Sequence, residues 1–182
     1  YYVPENAFLT LVGDFESAEA LALVKQYFGR VPKARRPVPR DIPQEPRATG
    51  ERRITLSQSE NWPLPVVVVA HHITYDGHPD AYPLHIATKV LSDGESSRIF
   101  RRLIYEDQLA VSAFGNGTLI DDPNLFYAVA VVQPGRTTEE TEAALIDELD
   151  RLKTEFVSDR ELQRAKNQFA RDYVFSRATV EQ

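Results

Sequence analysis

Five prolines fall between Arg30 and Gly50, at Pro32, Pro37, Pro39, Pro43 and Pro46, and no other feature limits the fold as strongly. Each removes an amide donor and fixes φ, so a stretch interrupted this often sustains neither a helix nor a central strand. Residues 30–50 therefore read as an extended connector. They divide the chain into a leading piece, residues 1–29, and a body, residues 51–182. With 182 residues and 42% apolar side chains, the chain has material for a substantial core in one or two small domains.

The leading piece predicts one strand and one helix. Ala7–Val12 is rich in strand formers, Gly13-Asp14 ends it, and Ser17 is placed to cap a helix. The apolar face of that helix is Ala20, Leu23, Val24, Tyr27 and Phe28, before Gly29. In the body, Arg52–Leu56 alternates weakly and Val66–Ile73 reads as a strand buried on at least one face. Pro79 suits the first turn of a helix carrying Leu84, Ala87, Thr88 and Leu91, which Leu91-Ser92-Asp93-Gly94 interrupts. Helical spacing resumes with Ile99, Phe100, Leu103 and Ile104.

Leu109–Leu119 and Leu125–Val132 suit an antiparallel pair of strands. Asp121-Asp122-Pro123-Asn124 is favoured as their turn over Asn116-Gly117. Thr137 with Glu140, and Ser158 with Glu161, match the reciprocal spacing of capping boxes at two further helices. The first has an apolar stripe of Ala143, Ile146, Leu149, Leu152 and Phe156, with its acids toward solvent. The second has Leu162, Ala165, Phe169 and Tyr173. The expected class is α+β, a mostly antiparallel sheet packed against helices in two layers.

Charge and motifs remove several functions. A net charge of −6 offers no basic field for nucleic acid. No apolar run, Val66–Ala70 among them, is long enough for a membrane span. Without cysteine there is no disulfide, thiolate metal site or cysteine nucleophile. Four histidines raise the question of zinc, yet His71 and His72 should point to opposite faces of one strand, and His78 and His85 are too weakly spaced to assign. Neither H-E-x-x-H, H-x-x-E-H, a dinucleotide fingerprint nor a phosphate loop occurs. Asp14, Asp76 and Asp93 read first as turn or cap residues, and Arg98, Arg101 and Arg102 as a solvated helix face. Asn116-Gly117-Thr118 satisfies a glycosylation sequon, a signal too common to place the protein in a compartment. No catalytic, cofactor-binding or metal-ligating residue can be chosen. The chain opens on Tyr1 and stops at Gln182, just after a helical stretch with no glycine or proline stop, as expected of a piece of a longer protein.

Several segments, in order, resemble the insulinase and pitrilysin family of zinc metallopeptidases. They are Tyr1-Tyr2-Val3-Pro4-Glu5-Asn6-Ala7, Val12-Gly13-Asp14-Phe15 and the run Ala20–Gly29. Downstream come Asp80-Ala81-Tyr82-Pro83-Leu84, the run Leu91–Leu103, Asp107-Gln108-Leu109-Ala110 and Glu161-Leu162-Gln163-Arg164-Ala165-Lys166. The resemblance implies an upstream half carrying H-x-x-E-H and a third, glutamate ligand, so the zinc of the whole enzyme would be held outside this chain. Residues 1–29 would then complete that missing N-terminal catalytic domain, 30–50 would link, and 51–182 would form an incomplete, noncatalytic second domain.

The implied whole is a zinc-dependent endopeptidase that encloses and cleaves peptides or small unfolded proteins, with this piece inactive alone. Where family members carry a substrate-stabilising arginine and tyrosine, this chain has Ile104 and Val111, which suggests that a homologous partner subunit supplies those contacts. Ser92-Asp93-Gly94-Glu95-Ser96 resembles, in shortened form, the glycine-rich loop of the noncatalytic mitochondrial processing-peptidase subunit, although Gly94 alone explains a helix break. The alternative is a peptidase-derived interaction or assembly subunit that never carries zinc.

Overall fold

A computed structural model describes residues 1–41, 43, 45, 46, 48–57 and 63–177. The contacts divide the chain into two units, Tyr1–Gly50 and Glu51–Gln182.

The first unit holds a single turn of 3₁₀-helix, Pro4–Asn6, and helix α1, Ser17–Phe28. Glu16, not Ser17, is the N-cap of α1; Ser17 is its first helical residue, and no side chain caps it. The strand expected at Ala7–Val12 joins no ladder. A strand needs a neighbour for its amides and carbonyls, and the described part of this unit contains no other strand. Its side chains stay exposed, Phe8 fully so, and α1 buries none of its residues. The described residues of the proline-rich stretch form no regular element, as five missing amides require.

In the second unit four consecutive valines, Val66–Val69, open β1, Val66–Ile73, while alternation dominates β3, Asn124–Val132. Strand β2, Ala110–Gly117, pairs with β3, and the order is β1-β3-β2, antiparallel throughout. Gly117 lies opposite Phe126, so Asn116 and Gly117 belong to the ladder and the turn is the later one, as the aspartates and proline favour. Thr118–Ile120, read as continuing strand, is loop. A bulge between Ala110 and Ser112 shifts the register by one residue. Arg52–Leu56 forms no strand; instead Arg53 donates two hydrogen bonds to Glu142, at 2.8 and 2.6 Å.

Helix α2, Ala81–Ser92, starts at Asp80 as N-cap, so Pro79 precedes the helix and does not occupy its first turn. It ends where expected, and Gly94 takes φ +78°, a conformation open to glycine at little cost. Helix α3, Arg98–Phe100, runs on as a π-helical segment, Arg101–Glu106, closed by the Asp107 amide donating to the Arg102 carbonyl five residues back. Gln108 then reverses the chain at φ 51°, its carbonyl and that of Asp107 receiving hydrogen bonds from Arg136. Helices α4, Thr138–Thr154, and α5, Asp159–Phe175, both begin with complete capping boxes, at Thr137/Glu140 and Ser158/Glu161.

One face of the sheet is covered. Val67, Ala110, Ala113, Phe126, Ala128, Ala130 and Val132 point there and meet Leu91, Ile99, Leu103, Leu145 and Leu149 from the helices. Helix α5 forms an outer brace on α2, with Ala165 buried and Phe169 against the His85 ring. Its expected stripe holds through Phe169 but not at Tyr173, which is exposed. The described helices include none long and apolar enough to cross a membrane.

The α4 stripe differs from the one predicted. Its buried row is Thr141, Ala144, Leu145, Glu148 and Leu149, whereas Ala143 and Ile146 face out and Phe156 is fully exposed. Both stripes have helical spacing; only the floor offered by the sheet chooses between them. Leu145→Ala should therefore cost about 2–5 kcal/mol and Ile146→Ala under about 1 kcal/mol, measured by urea unfolding. Equal costs would contradict the orientation.

Candidate functional site

The polar residues singled out in the sequence are scattered, and most are occupied by one another. His71 and His72 sit on β1 opposite Phe126 and Leu125, both exposed. His78 lies edge-on to Tyr75, with its Nδ1 accepting from the Asp80 amide. His85 packs on Phe169. Among the described residues no group of three His, Cys, Asp or Glu side chains is placed to hold a metal ion. Asp76 behaves as a turn residue: its carboxylate accepts from the Gly77 amide, and its own amide donates to the Ile120 carbonyl. Asp93, the C-cap of α2, pairs with Lys89 at 2.8 Å.

The arginine run is not the solvated face expected. Arg98 is nearly buried and donates from Nε to Glu161 at 2.8 Å, tying α3 to the start of α5. Arg102 donates to Asp107 at 2.5 Å and to Asp147 at 3.3 Å, and stands 3.9 Å from Glu148. Arg101 pairs with Glu106 at the surface. Glu148, read as part of a solvent-facing acidic row, is only 1% exposed and is reached by Arg151 at 2.9 Å. A carboxylate this deep persists because cations close on it from two helical segments.

The charges respond accordingly. Hydrogen bonding from Arg98 holds the Glu161 carboxyl down at about 2 against burial, with further help from the Ser158 hydroxyl and amide. The same bond raises Arg98. The hydrogen bond to Asp107 raises Arg102. Lys89 is raised too: burial opposes its charge, but Asp172 and Asp93 together outweigh the cost. Glu161 and Asp172 are structural counter-ions, each facing a cation that holds its carboxyl below the ordinary value, the reverse of what a general acid needs near neutrality.

Opposite the helices the sheet presents a second face, rich in apolar side chains and largely open. Val68, Phe114 and Leu125 are 59%, 46% and 41% exposed, beside half-buried Tyr127, Val129 and Val131. Alternation along the three strands carries these residues to that face. The sequence hinted at it, because β1 is apolar at nearly every position and so cannot be read as one-faced. Ile104 packs against the core and Val111 sits exposed at the bulge, so neither offers a guanidinium or a phenol.

The second unit is an α+β layer pair with one sheet face covered, the other open, and many of its ionisable groups tied into braces. The comparisons place it. A match to the family described as the peptidase M16 inactive domain runs over residues 1–169, and the chain belongs to that family. The zinc protease PqqE of Helicobacter pylori is 25% identical over 175 residues, 96% of this chain but 39% of that protein's length. The crystal structure of a protease from Helicobacter pylori superposes with a TM-score of 0.79 at 25% identity, covering 96% of this chain and 42% of that one. The inactive peptidase domain of a candidate zinc protease from Bordetella parapertussis gives a TM-score of 0.60 at 26% identity, over 69% and 68% of the two chains. The α+β architecture of this chain agrees with these neighbours.

The Arg98–Glu161 bridge has a definite pH signature. Because the folded carboxyl sits near 2 and the ordinary value is 4.5, its stabilisation is complete above pH 4.5 and is lost as pH falls toward 2. Glu161→Gln should cost about 2 kcal/mol at neutral pH, discounted for partial exposure. In chemical unfolding followed by circular dichroism, that deficit should close below pH 4.5. A deficit unchanged down to pH 2 would remove the bridge as its cause.

Proposed function

We propose that this chain is the noncatalytic half of a zinc-dependent endopeptidase, acting as a wall and brace for a catalytic half that precedes it in the complete protein. The family match over residues 1–169 carries this reading. Near-complete coverage of the chain against 39% of a zinc protease supports it. On this reading residues 1–29 complete the catalytic domain, the proline-rich residues 30–50 join the halves, and the body forms the second domain.

Zinc in the catalytic half would polarise the scissile carbonyl and activate water. The residues of this chain do other work. The open sheet face offers apolar surface and unpaired strand edges to an extended or unfolded peptide, and the helix braces keep that face rigid. With Ile104 and Val111 at the positions that carry a substrate-stabilising pair in other family members, a homologous partner subunit would supply those contacts.

The complete gene product is the material for the test. Peptide hydrolysis that is abolished by chelation and restored by zinc, together with H-x-x-E-H upstream of Tyr1, is the expected result. The 182-residue chain alone should leave the same peptides intact and show no stoichiometric zinc binding by calorimetry. A complete protein without the upstream motif and without zinc-dependent hydrolysis would replace this reading with that of an assembly subunit. Hydrolysis by the isolated chain would refute both.

A further inference from the structure

We propose that Asp76-Gly77 is a self-modification site, where the main chain rearranges through a cyclic imide to isoaspartate as the protein ages. Three of the eight glycines follow an aspartate or asparagine: Gly77, Gly94 and Gly117. A glycine there leaves its amide nitrogen unshielded by any side chain, so all three pairs carry the reactive sequence. The fold leaves only the first of them ready to react.

In the turn that follows β1, Asp76 and Gly77 are both exposed. The Gly77 amide donates to Asp76 Oδ1 at 3.0 Å, which holds the attacking nitrogen beside the carboxyl it must reach. A methyl group on Gly77 would meet no atom within 4 Å, so the glycine side of the bond is open to solvent base. The turn is closed by the His78 amide donating to the Tyr75 carbonyl at 3.3 Å, and the Asp76 amide is anchored on the Ile120 carbonyl at 2.8 Å. Neither bond engages the Gly77 nitrogen.

The other two pairs are held away from this reaction. Lys89 pins the Asp93 carboxylate at 2.8 Å with Oδ2 buried, and the Asp93 carbonyl accepts from Gln168. Asn116 lies in β2 and donates to the Thr118 hydroxyl at 3.3 Å. Its neighbour Gly117 is buried opposite Phe126, where a methyl group would come within 3.1 Å of Thr88 and 3.2 Å of Phe126. Each of these pairs must leave its packing before the side chain can turn onto the next nitrogen.

The chemistry balances with water alone. The Gly77 nitrogen gives its proton to solvent and bonds to Asp76 Cγ, the protonated carboxyl loses its hydroxyl as water, and a five-membered imide closes. Water then opens the ring. Breaking the original peptide bond routes the main chain through Cβ and Cγ and frees the α-carboxylate, which is isoaspartate; breaking the new bond restores aspartate. One extra main-chain atom then lengthens the ring closed by the Tyr75–His78 bond. The anchor on Ile120 lies before the insertion, so the change loosens the turn leading into α2 and leaves the covered core in place.

The complete protein, aged near neutral pH at body temperature, is the material for the test, with peptide fragmentation that cleaves the Cα–Cβ bond of isoaspartate locating the product. Isoaspartate should build up at residue 76 at least about tenfold faster than at 93. Urea should erase that difference, and should let Asn116 lead, because a carboxamide is a better electrophile than an ionised carboxylate. Asp76→Asn keeps the accepting oxygen and should convert faster than wild type, with release of ammonia. In that variant residues 76 and 116 both precede glycine as asparagine, so position alone decides, and 76 should react at least about tenfold faster in the folded protein. Asp76→Glu, unable to close a five-membered ring, should stay unmodified over the same period. A folded protein unchanged at 76 while the urea-treated protein reacts, equal native rates at 76 and 93, or a folded Asp76→Asn variant in which 116 keeps pace would each overturn the proposal.

Discussion

The floor of the second unit is made of small residues, and the packing above it follows from that. Ala113, Ala128 and Ala130 line the covered face of β2 and β3, with Gly115 and Gly117 continuing the row. A methyl group on Gly115 would lie 2.8 Å from the Tyr127 carbonyl and 3.1 Å from the Ser92 side chain. The end of α2 therefore sits on bare backbone. Its buried Ser92 hydroxyl completes the seat by bonding both to the Thr88 carbonyl and across to the Gly115 carbonyl at 2.9 Å. With so little volume on the floor, the large side chains Ile99, Leu103 and Leu145 come down from the helices, each fully buried. This alternation of small against large lets two layers approach closely without voids.

Close layers leave little room for polar groups between the helices, which is where the ion pairs stand. Glu148 sits in the buried row of α4 beside Leu145 and Leu149 and is met by Arg151 and, at longer range, by Arg102 from the π-helical segment. A leucine there could be as stable, because desolvating a charge offsets much of its attraction. What the pair adds is direction. The observed rotation of α4 brings the buried carboxylate within 3.9 Å of Arg102 on that segment. Arg98 with Glu161, and Lys89 with Asp172, fix α5 in the same manner at its two ends.

Local signals were legible in the sequence wherever neighbouring residues settle the matter alone. Both capping boxes, the bounds of β1, the helix break at Gly94 and the late hairpin turn depend on short-range chemistry, and each stands as read. Two local readings missed by a residue or two, Ser17 for a cap at Glu16 and Pro79 for a helix that starts after Asp80, and the larger errors share a different cause. Ala7–Val12 has the composition of a strand, but a ladder needs a neighbour that composition does not supply. The rotation of α4 was misjudged because two stripes fit one period, and only contact with the alanine floor distinguishes them. Arg98 looked like a solvent charge because a partner 63 residues away leaves no local mark, and Glu148 because only packing shows which face of α4 is buried.

These failures and the functional reading have one root. A general acid or base works best with its proton affinity near the working pH. The braces of this domain do the opposite, closing cations onto Glu161, Asp172 and Asp107 until the first two carboxyls lie below their ordinary values. With those carboxylates ionised the braces hold the body's shape, and shape is what it has to offer: one sheet face sealed by helices and the other apolar and open. If the sheet face meets an unfolded peptide in the complete protein, its grip comes from strand geometry and apolar area, which tolerate many sequences.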